Sequence, residues 1–480
     1  MILEKRIELP SGLTFDFTNM FGRWRLDDGR AAKVLAGQGA AADAAVREIR
    51  RTGTAKAHLS KDGAPEHVYF PRMPYIEENN PNTPVSIALI RRFQRRMRRY
   101  DVVVFLGIGG SFLGGKVLAD ALGGLGWNRN SVMRKGYPRV YFSGNNLDSE
   151  DCYELAEELT RFSHANRLVN GHKIRVMLVP MSKSGTTLET ISGFVYFYDR
   201  LSRLEDIELS CTVVTDLKAD IKNAPLLQLA DKFGWDRFDI KEGIGGRFSV
   251  MTDCGLLPLA AVGGDIEEFL RGAREMDQYC IKALPEQNPA LLNALFKYLA
   301  YLEGKDIEVF MPYSMRLKSL SEWYVQLLAE SLGKRYDREG RMVRYGRTPI
   351  VAVGTTDMHA QTQQHQDGRL NKVVQFVEIG EPEKGAVLHN PFPDVPYFAR
   401  FEGMNMHKAL KAALDANEKA LTSDNRYNAR FTLPEINEYY LGQIMYFLML
   451  SVAYEGELAN VDAYDQPGVE VYKRYMKQLL

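Results

Sequence analysis

The clearest pattern along the chain is a series of continuous apolar runs, each closing on a turn rich in glycine and small polar residues. "DVVVFLGIGGS", "RVYFSGNN", "IRVMLVPMSKSG" and "CTVVTD" follow one another between residues 101 and 216, with helical stretches between them. An apolar run without alternation predicts a parallel strand buried on both faces. After a helical middle, "DIEVFMPYS" and "TPIVAVGTTD" open a second series of the same kind. Alternating strands and helices of this sort predict an α/β fold with doubly wound parallel sheets, in two units. Both units carry a strand followed by Gly-Thr-Thr, at Gly185-Thr186-Thr187 and Gly354-Thr355-Thr356, which suggests related halves.

Helical periodicity fills in the flanks. Residues 28 to 52 read as a helix rich in Ala, Arg and Glu, followed by a polar, Gly/Pro-punctuated loop to about residue 83. In "IRRFQRRMRRY" the apolar positions Ile90, Phe93, Met97 and Tyr100 recur at helical spacing, and arginines fill the other face. The run "IMYFLMLSVAY" near the end is about half of the roughly 20 residues a membrane span needs, so it predicts a buried core helix.

Composition narrows the classes. Lys+Arg and Asp+Glu both number 61, so no net field recruits nucleic acid or an acidic membrane, and the arginine-rich helix reads as a solvated face. An anionic ligand must therefore be held by local donors. The four cysteines, Cys152, Cys211, Cys254 and Cys280, form no CxxC pair and no metal spacing, which predicts reduced thiols in a cytoplasm. The start "MILEKRIELPSG" has no apolar core of a secretory signal.

Two turns carry candidate chemistry. "SKSGTTLET" places the hydroxyls of Ser182, Ser184, Thr186, Thr187 and Thr190 at a strand end where a helix should start. Such a cluster makes either a capped turn or a phosphate site, because orphan backbone N–H groups there favour an anion. "GIGGSFLGGKV" invites two nucleotide readings. As a dinucleotide fingerprint it has Phe112 in place of the last glycine; as a P-loop, Gly110 to Lys116 fits GxxxxGK but Val117 stands where a magnesium-binding hydroxyl belongs. What remains is a close-approach turn with one hydroxyl, Ser111.

"GIGGS", "SKSGTT", "GIGGRFSV", "QLLAESLGK", "GTTDMHAQTQ" and "DQPGVEVYK" occur here in an order that resembles the glucose-6-phosphate isomerases of the bacterial type, from about residue 102 to 476. The resemblance implies two sugar-isomerase-type (SIS) α/β domains with helical arms. These are an N-terminal arm and loop over 1–75, a first domain over 76–245 and a helical connector over 246–284. A second domain follows over 285–440, and a C-terminal arm over 441–480 completes the active site. Val471-Tyr472 and Pro467 depart from the usual pattern, which bears on local loop shape.

The implied reaction moves a carbonyl between C1 and C2 of a sugar phosphate through a cis-enediol, linking glucose 6-phosphate and fructose 6-phosphate in glycolysis and gluconeogenesis. By resemblance, Ser111, Ser182, Lys183, Ser184 and Thr187 hold the phosphate, the lysine largely through its main chain. Glu330 is the base that shuttles the proton; with Glu322 and Gln326 it forms a stripe at i, i+4 and i+8 on a helix, with Gln326 a substrate contact. Arg247 offers a fixed cation to the enediolate. His359 and Lys473 form the ring-opening pair, with Asp357 as cap of the histidine's helix, Glu189 orienting the histidine and Gln466 touching the sugar. The family's histidine reaches the site from the neighbouring subunit, so a homodimer is implied. No metal or redox cofactor is needed; His359 and His365 are six apart, not the i,i+4 pair of a helical zinc site. The competing readings are a non-catalytic sugar-phosphate-binding regulator, a P-loop nucleotidase and a dual glucose/mannose phosphate isomerase.

Overall fold

The structure is a computed structural model that describes residues 3–60, 62–382 and 385–479. The chain divides into two compact units, residues 66–271 and residues 1–65 with 272–480.

The unit of residues 66–271 holds a five-stranded sheet in the spatial order Arg139–Ser143, Val102–Leu106, Ile174–Pro180, Ile207–Thr215, Asp236–Asp239. All four pairings are parallel. The central apolar runs behave as expected, every residue of Val102–Leu106 being buried, as are the last five of Ile174–Pro180, whereas Arg139–Ser143, at an edge, buries only Val140 and Ser143. In chain order the strands read 2-1-3-4-5, so the winding reverses between the first and third strands. Loops leaving the carboxyl ends of those two strands flank the crevice where open α/β sheets bind ligands. They are the GIGGS and SKSGTT turns.

The other unit carries a six-stranded sheet, ordered Arg6–Glu8, Thr14–Asp16, Tyr427–Leu433, Lys372–Ile379, Ile307–Pro312, Thr348–Val351. Its last four strands are mutually parallel, again as expected. Two short strands near the N-terminus extend the sheet antiparallel, an addition the helical reading of that region did not foresee. The two Gly-Thr-Thr turns are not topological equivalents. Gly185 follows the third strand of its sheet in chain order, whereas Gly354 follows the fourth, the second of the parallel strands, which lies at an edge.

"IMYFLMLSVAY" lies within the helix Glu438–Leu458, whose residues are buried almost throughout, with Phe447 stacked on Phe15 at 4.2 Å. Among the described residues no helix is long and apolar enough to cross a membrane. The basic helix spans Pro84–Met97, opened by a Thr83/Ser86 capping box. It buries Ile90, Phe93 and Met97 and leaves Arg91, Arg92 and Arg95 exposed.

A buried ionic network fastens the unit that contains residues 272–480. Glu308, on the strand Ile307–Pro312, accepts from Lys297 Nζ at 2.5 Å, from Tyr324 OH at 3.0 Å and from Arg347 Nε at 3.0 Å. Arg347 also grips Glu455 through both terminal nitrogens, and Tyr345 OH donates to Glu455 at 2.5 Å. Burial alone would push the Glu308 carboxyl up, but Lys297 and Arg347 outweigh it and hold the group below its ordinary range. Glu308→Gln would leave two buried cations facing one fewer carboxylate, at an expected cost of about 3–5 kcal/mol, read from the urea midpoint. Because the folded group is depressed, its contribution is present above the ordinary carboxylate pKa and is lost as pH falls through the folded value. Wild type should therefore lose stability on acidification more steeply than Glu308→Gln.

Candidate functional site

The phosphate-type turn runs from the buried end of Ile174–Pro180 into the helix Leu188–Ser202. Gly185 turns it with φ +67°, and its N–H donates to the Ser182 carbonyl at 3.2 Å. Thr187 occupies the N-cap position, yet its side chain makes no cap hydrogen bond. Its hydroxyl pairs instead with the buried Ser182 hydroxyl at 2.8 Å. Ser184 Oγ accepts from the Thr186 N–H and hydroxyl at 3.2 and 2.9 Å. The Thr187 side chain therefore does not cap its own helix, whose first N–H groups are left without a side-chain acceptor from the N-cap. Lys183 is exposed, and its carbonyl is pinned by Thr215 Oγ1 at 3.2 Å and the Asp216 N–H at 3.3 Å. Glu189 sits in the first turn of the same helix, half-buried.

The second turn of this unit ends at the helix Gly110–Leu118, whose N-cap is Gly109 and so also lacks a side-chain cap. Gly110 to Lys116 is helical, and Lys116 ion-pairs with Asp120, so the P-loop reading fails on conformation as well as on Val117. The helix's glycines serve packing. A Cβ on Gly110 would lie 2.0 Å from the Gly246 carbonyl carbon. That close approach seats the short helix Gly246–Met251, which carries the buried Arg247, against the start of the Ser111 helix. Ser249 Oγ staples it, donating to the Gly246 carbonyl at 2.7 Å and lying 3.3 Å from the Gly110 carbonyl. Arg247 lies 5.5 Å from the Phe248 ring centroid. Neither the junction nor Ser249 was anticipated, although the tetrapeptide Gly-Ile-Gly-Gly occurs at both 107–110 and 243–246 and marks it.

The unit with residues 272–480 holds the remaining candidates. Glu330 lies in the last turn of the helix Lys318–Leu332, which packs against the edge strand Thr348–Val351. Gln326 Nε2 donates to Glu330 Oε1 at 3.0 Å, so the i+4 and i+8 positions of the stripe are joined. The stripe is half-buried, lying between the buried Trp323, Leu327 and Leu328. Glu322, at its start, lies 3.8 Å from Lys318. His359 is exposed in the first turn of the helix Thr356–Gln366. The expected cap at Asp357 is corrected: Thr355 is the N-cap, and Asp357 reaches back to accept the Val353 N–H at 2.6 Å, closing the strand-to-helix turn. Lys473 is exposed on the helix Val469–Leu479, paired with Glu470 at 2.9 Å. Gln466 is exposed just before that helix, and its carbonyl accepts the Val469 N–H at 3.2 Å.

Uncapped, hydroxyl-lined helix starts at the switch point of a parallel sheet define an α/β protein with a crevice of the kind that suits an anion. Comparison with known proteins narrows this. Residues 96–480 match the Phosphoglucose isomerase family. The glucose-6-phosphate isomerase of Carboxydothermus hydrogenoformans is 34% identical over 412 residues, covering 86% of this chain and 84% of that protein. The glucose-6-phosphate isomerase of Methanocaldococcus jannaschii is 32% identical over 393 residues, 80% of this chain and 86% of the relative. Among solved structures, a hypothetical protein of Thermus thermophilus superposes with TM-score 0.77 at 28% identity, covering 97% of this chain and 99% of that one. The glucose-6-phosphate isomerase of Chlamydia trachomatis shares the fold, with TM-score 0.76 at 22% identity over 99% of this chain and 89% of its own. The chain belongs to the phosphoglucose isomerase family.

The Gly110–Gly246 contact generates a direct test. Gly110→Ala must push the Gly246 backbone away, so the variant should stay folded but bind fructose 6-phosphate on the order of tenfold or more weakly in calorimetry. Unchanged affinity would show that the junction does not shape the phosphate site.

Proposed function

We propose that this chain interconverts glucose 6-phosphate and fructose 6-phosphate through a cis-enediol, with Glu330 carrying the proton between C2 and C1. Ser111, Ser182, Ser184 and Thr187, with the Lys183 main chain, take the phosphate. The observation that carries the reading is the hydroxyl turn whose N-cap residue leaves its helix start uncapped. A phosphate there meets backbone N–H groups and hydroxyls without needing net positive charge on the protein.

His359 and Lys473 open the ring as acid and base, with Glu189 orienting the histidine; Gln326 and Gln466 contact the sugar. Glu330 then abstracts the C2 proton of the open aldose, and the electrons move to give the enediolate. Arg247 stabilises that charge, since a guanidinium stays protonated throughout. The conjugate acid of Glu330 returns the proton to C1 as the C2 hydroxyl proton passes to O1, which leaves the carbonyl at C2. The Gln326 amide hydrogen bond supports this role by fixing the carboxylate in one orientation. A sugar-phosphate-binding regulator would need only the phosphate turn, and family membership does not favour it. The expected compartment is the cytoplasm, a reading supported by four cysteines that form no disulfide.

The family resemblance also implies a homodimer in which each copy lends its His359 to the other, and the exposure of that histidine supports the reading. Two experiments test these roles. Glu330→Gln should cut kcat by about 10²–10⁴-fold, with or without EDTA, while fructose 6-phosphate affinity changes little; near-normal turnover would remove Glu330 as the base. Mixing inactive Glu330→Gln with inactive His359→Ala should restore activity if subunits exchange histidines, because some mixed dimers then own one intact site. No recovery on mixing, with mixed dimers verified, would assign both residues to the same copy.

A further inference from the structure

Behind the Arg247 turn lies a carboxylate that neither the phosphate grip nor the proton shuttle uses. Asp253 begins the helix Asp253–Ala261 and is 2% exposed. Its Oδ2 accepts the Asp239 N–H at 3.0 Å, where the edge strand Asp236–Asp239 ends, and lies 3.6 Å from Lys241 Nζ. Its Oδ1 is buried without a hydrogen-bond partner. Asp239 in turn uses Oδ1 to accept the Leu217 N–H at 3.1 Å, two residues beyond Thr215, which pins the Lys183 carbonyl. On the other side, Thr252 Oγ1 donates to the Ser249 carbonyl at 2.7 Å, joining the first residues of the same helix to the Arg247 turn.

We propose that Asp253 is a positioning residue that ties the Arg247 turn and the phosphate turn to one fixed point. The inference rests on the roles assigned above to those two turns. One carboxylate, with Lys241, holds the end of the strand that leads into Gly243–Arg247, and the same strand end anchors the loop under Lys183.

An isolated acceptor could be supplied by an amide; a buried carboxylate is costly. Burial pushes the Asp253 carboxyl up to about 6, opposed by Lys241 and by the Asp239 N–H, with the Asp239 carboxylate adding to the rise. Cys254 is pushed up to about 12 and stays a thiol. On the helices packed alongside, Arg96 is engaged by Asp236 and Lys116 by Asp120. Because the folded value is raised, the protonated form favours folding, and that contribution is lost as pH rises through about 6. Above that pH the ionised group weakens the fold.

Asp253→Asn keeps the size and the acceptor and removes the charge. Its kcat/KM and thermal midpoint should be compared with those of wild type from about pH 5 to about pH 9. Titration of the substrate phosphate affects both proteins alike. The expected result is a variant more stable than wild type at the alkaline end yet on the order of tenfold less active there, the two converging at the acid end. Lys241→Met should move the divergence to higher pH. Wild-type kcat/KM retained across the range, or activity and stability lost together, would overturn the inference while leaving the isomerase reading intact. A wild type that binds fructose 6-phosphate without turnover would instead defeat the isomerase reading. The inference would then be decided by binding, weaker in Asp253→Asn above about pH 6 if it holds.

Discussion

The buried charge network around Glu308 is the constraint on which the unit of residues 272–480 rests. Each of its groups is contributed by a different piece of structure: Lys297 by the helix Pro289–Leu302, Tyr324 by the helix that bears Glu330, Arg347 by the approach to the edge strand, Glu455 by the core helix. Two cations and two carboxylates, all buried, balance one another, so no element can shift without stranding a charge. The helix Lys318–Leu332 is therefore pinned at Tyr324 in the middle, which leaves Gln326 and Glu330 as the half-buried polar positions beyond it. A general base needs such fixity, because proton transfer tolerates little misplacement.

On the proposed reading, residues 66–271 solve a different problem, holding a doubly charged group without net charge. The answer lies in topology. The winding reverses between the first and third strands, and helix starts at both carboxyl ends lack side-chain caps. The close approach of Gly110 and Gly246 sets Arg247 beside the start of the Ser111 helix, and a guanidinium keeps its charge throughout. Function here is written in what helix starts leave open as much as in side chains.

Much of this was legible in the chain. The uniform apolar runs identified both parallel sheets, since a strand covered on both faces has no polar alternation to hide it. The stripe of Glu322, Gln326 and Glu330 was visible in its spacing, and the Gln326–Glu330 hydrogen bond follows from it. The antiparallel strands Arg6–Glu8 and Thr14–Asp16 were not visible, because three residues carry too little periodicity to register. Asp357 was misread as a cap because an acidic residue near a helix start commonly caps; here the strand end needed its carboxylate more. The Gly-Thr-Thr repeat misled for a related reason: three residues describe a turn but not which strand it follows. Ser249 and Asp253 act through contacts distant in sequence, which spacing does not encode.

The central claim is that a proton, not a hydride, moves between C2 and C1, carried by one carboxylate. The most direct measurement is solvent deuterium incorporation while fructose 6-phosphate is converted to glucose 6-phosphate in heavy water, followed by NMR at C2. An enediol handled by Glu330 predicts deuterium at C2 in wild type, and its disappearance along with turnover in Glu330→Gln. Full conversion with no label from solvent would fit a direct shift of hydrogen between the carbons and would contradict the account.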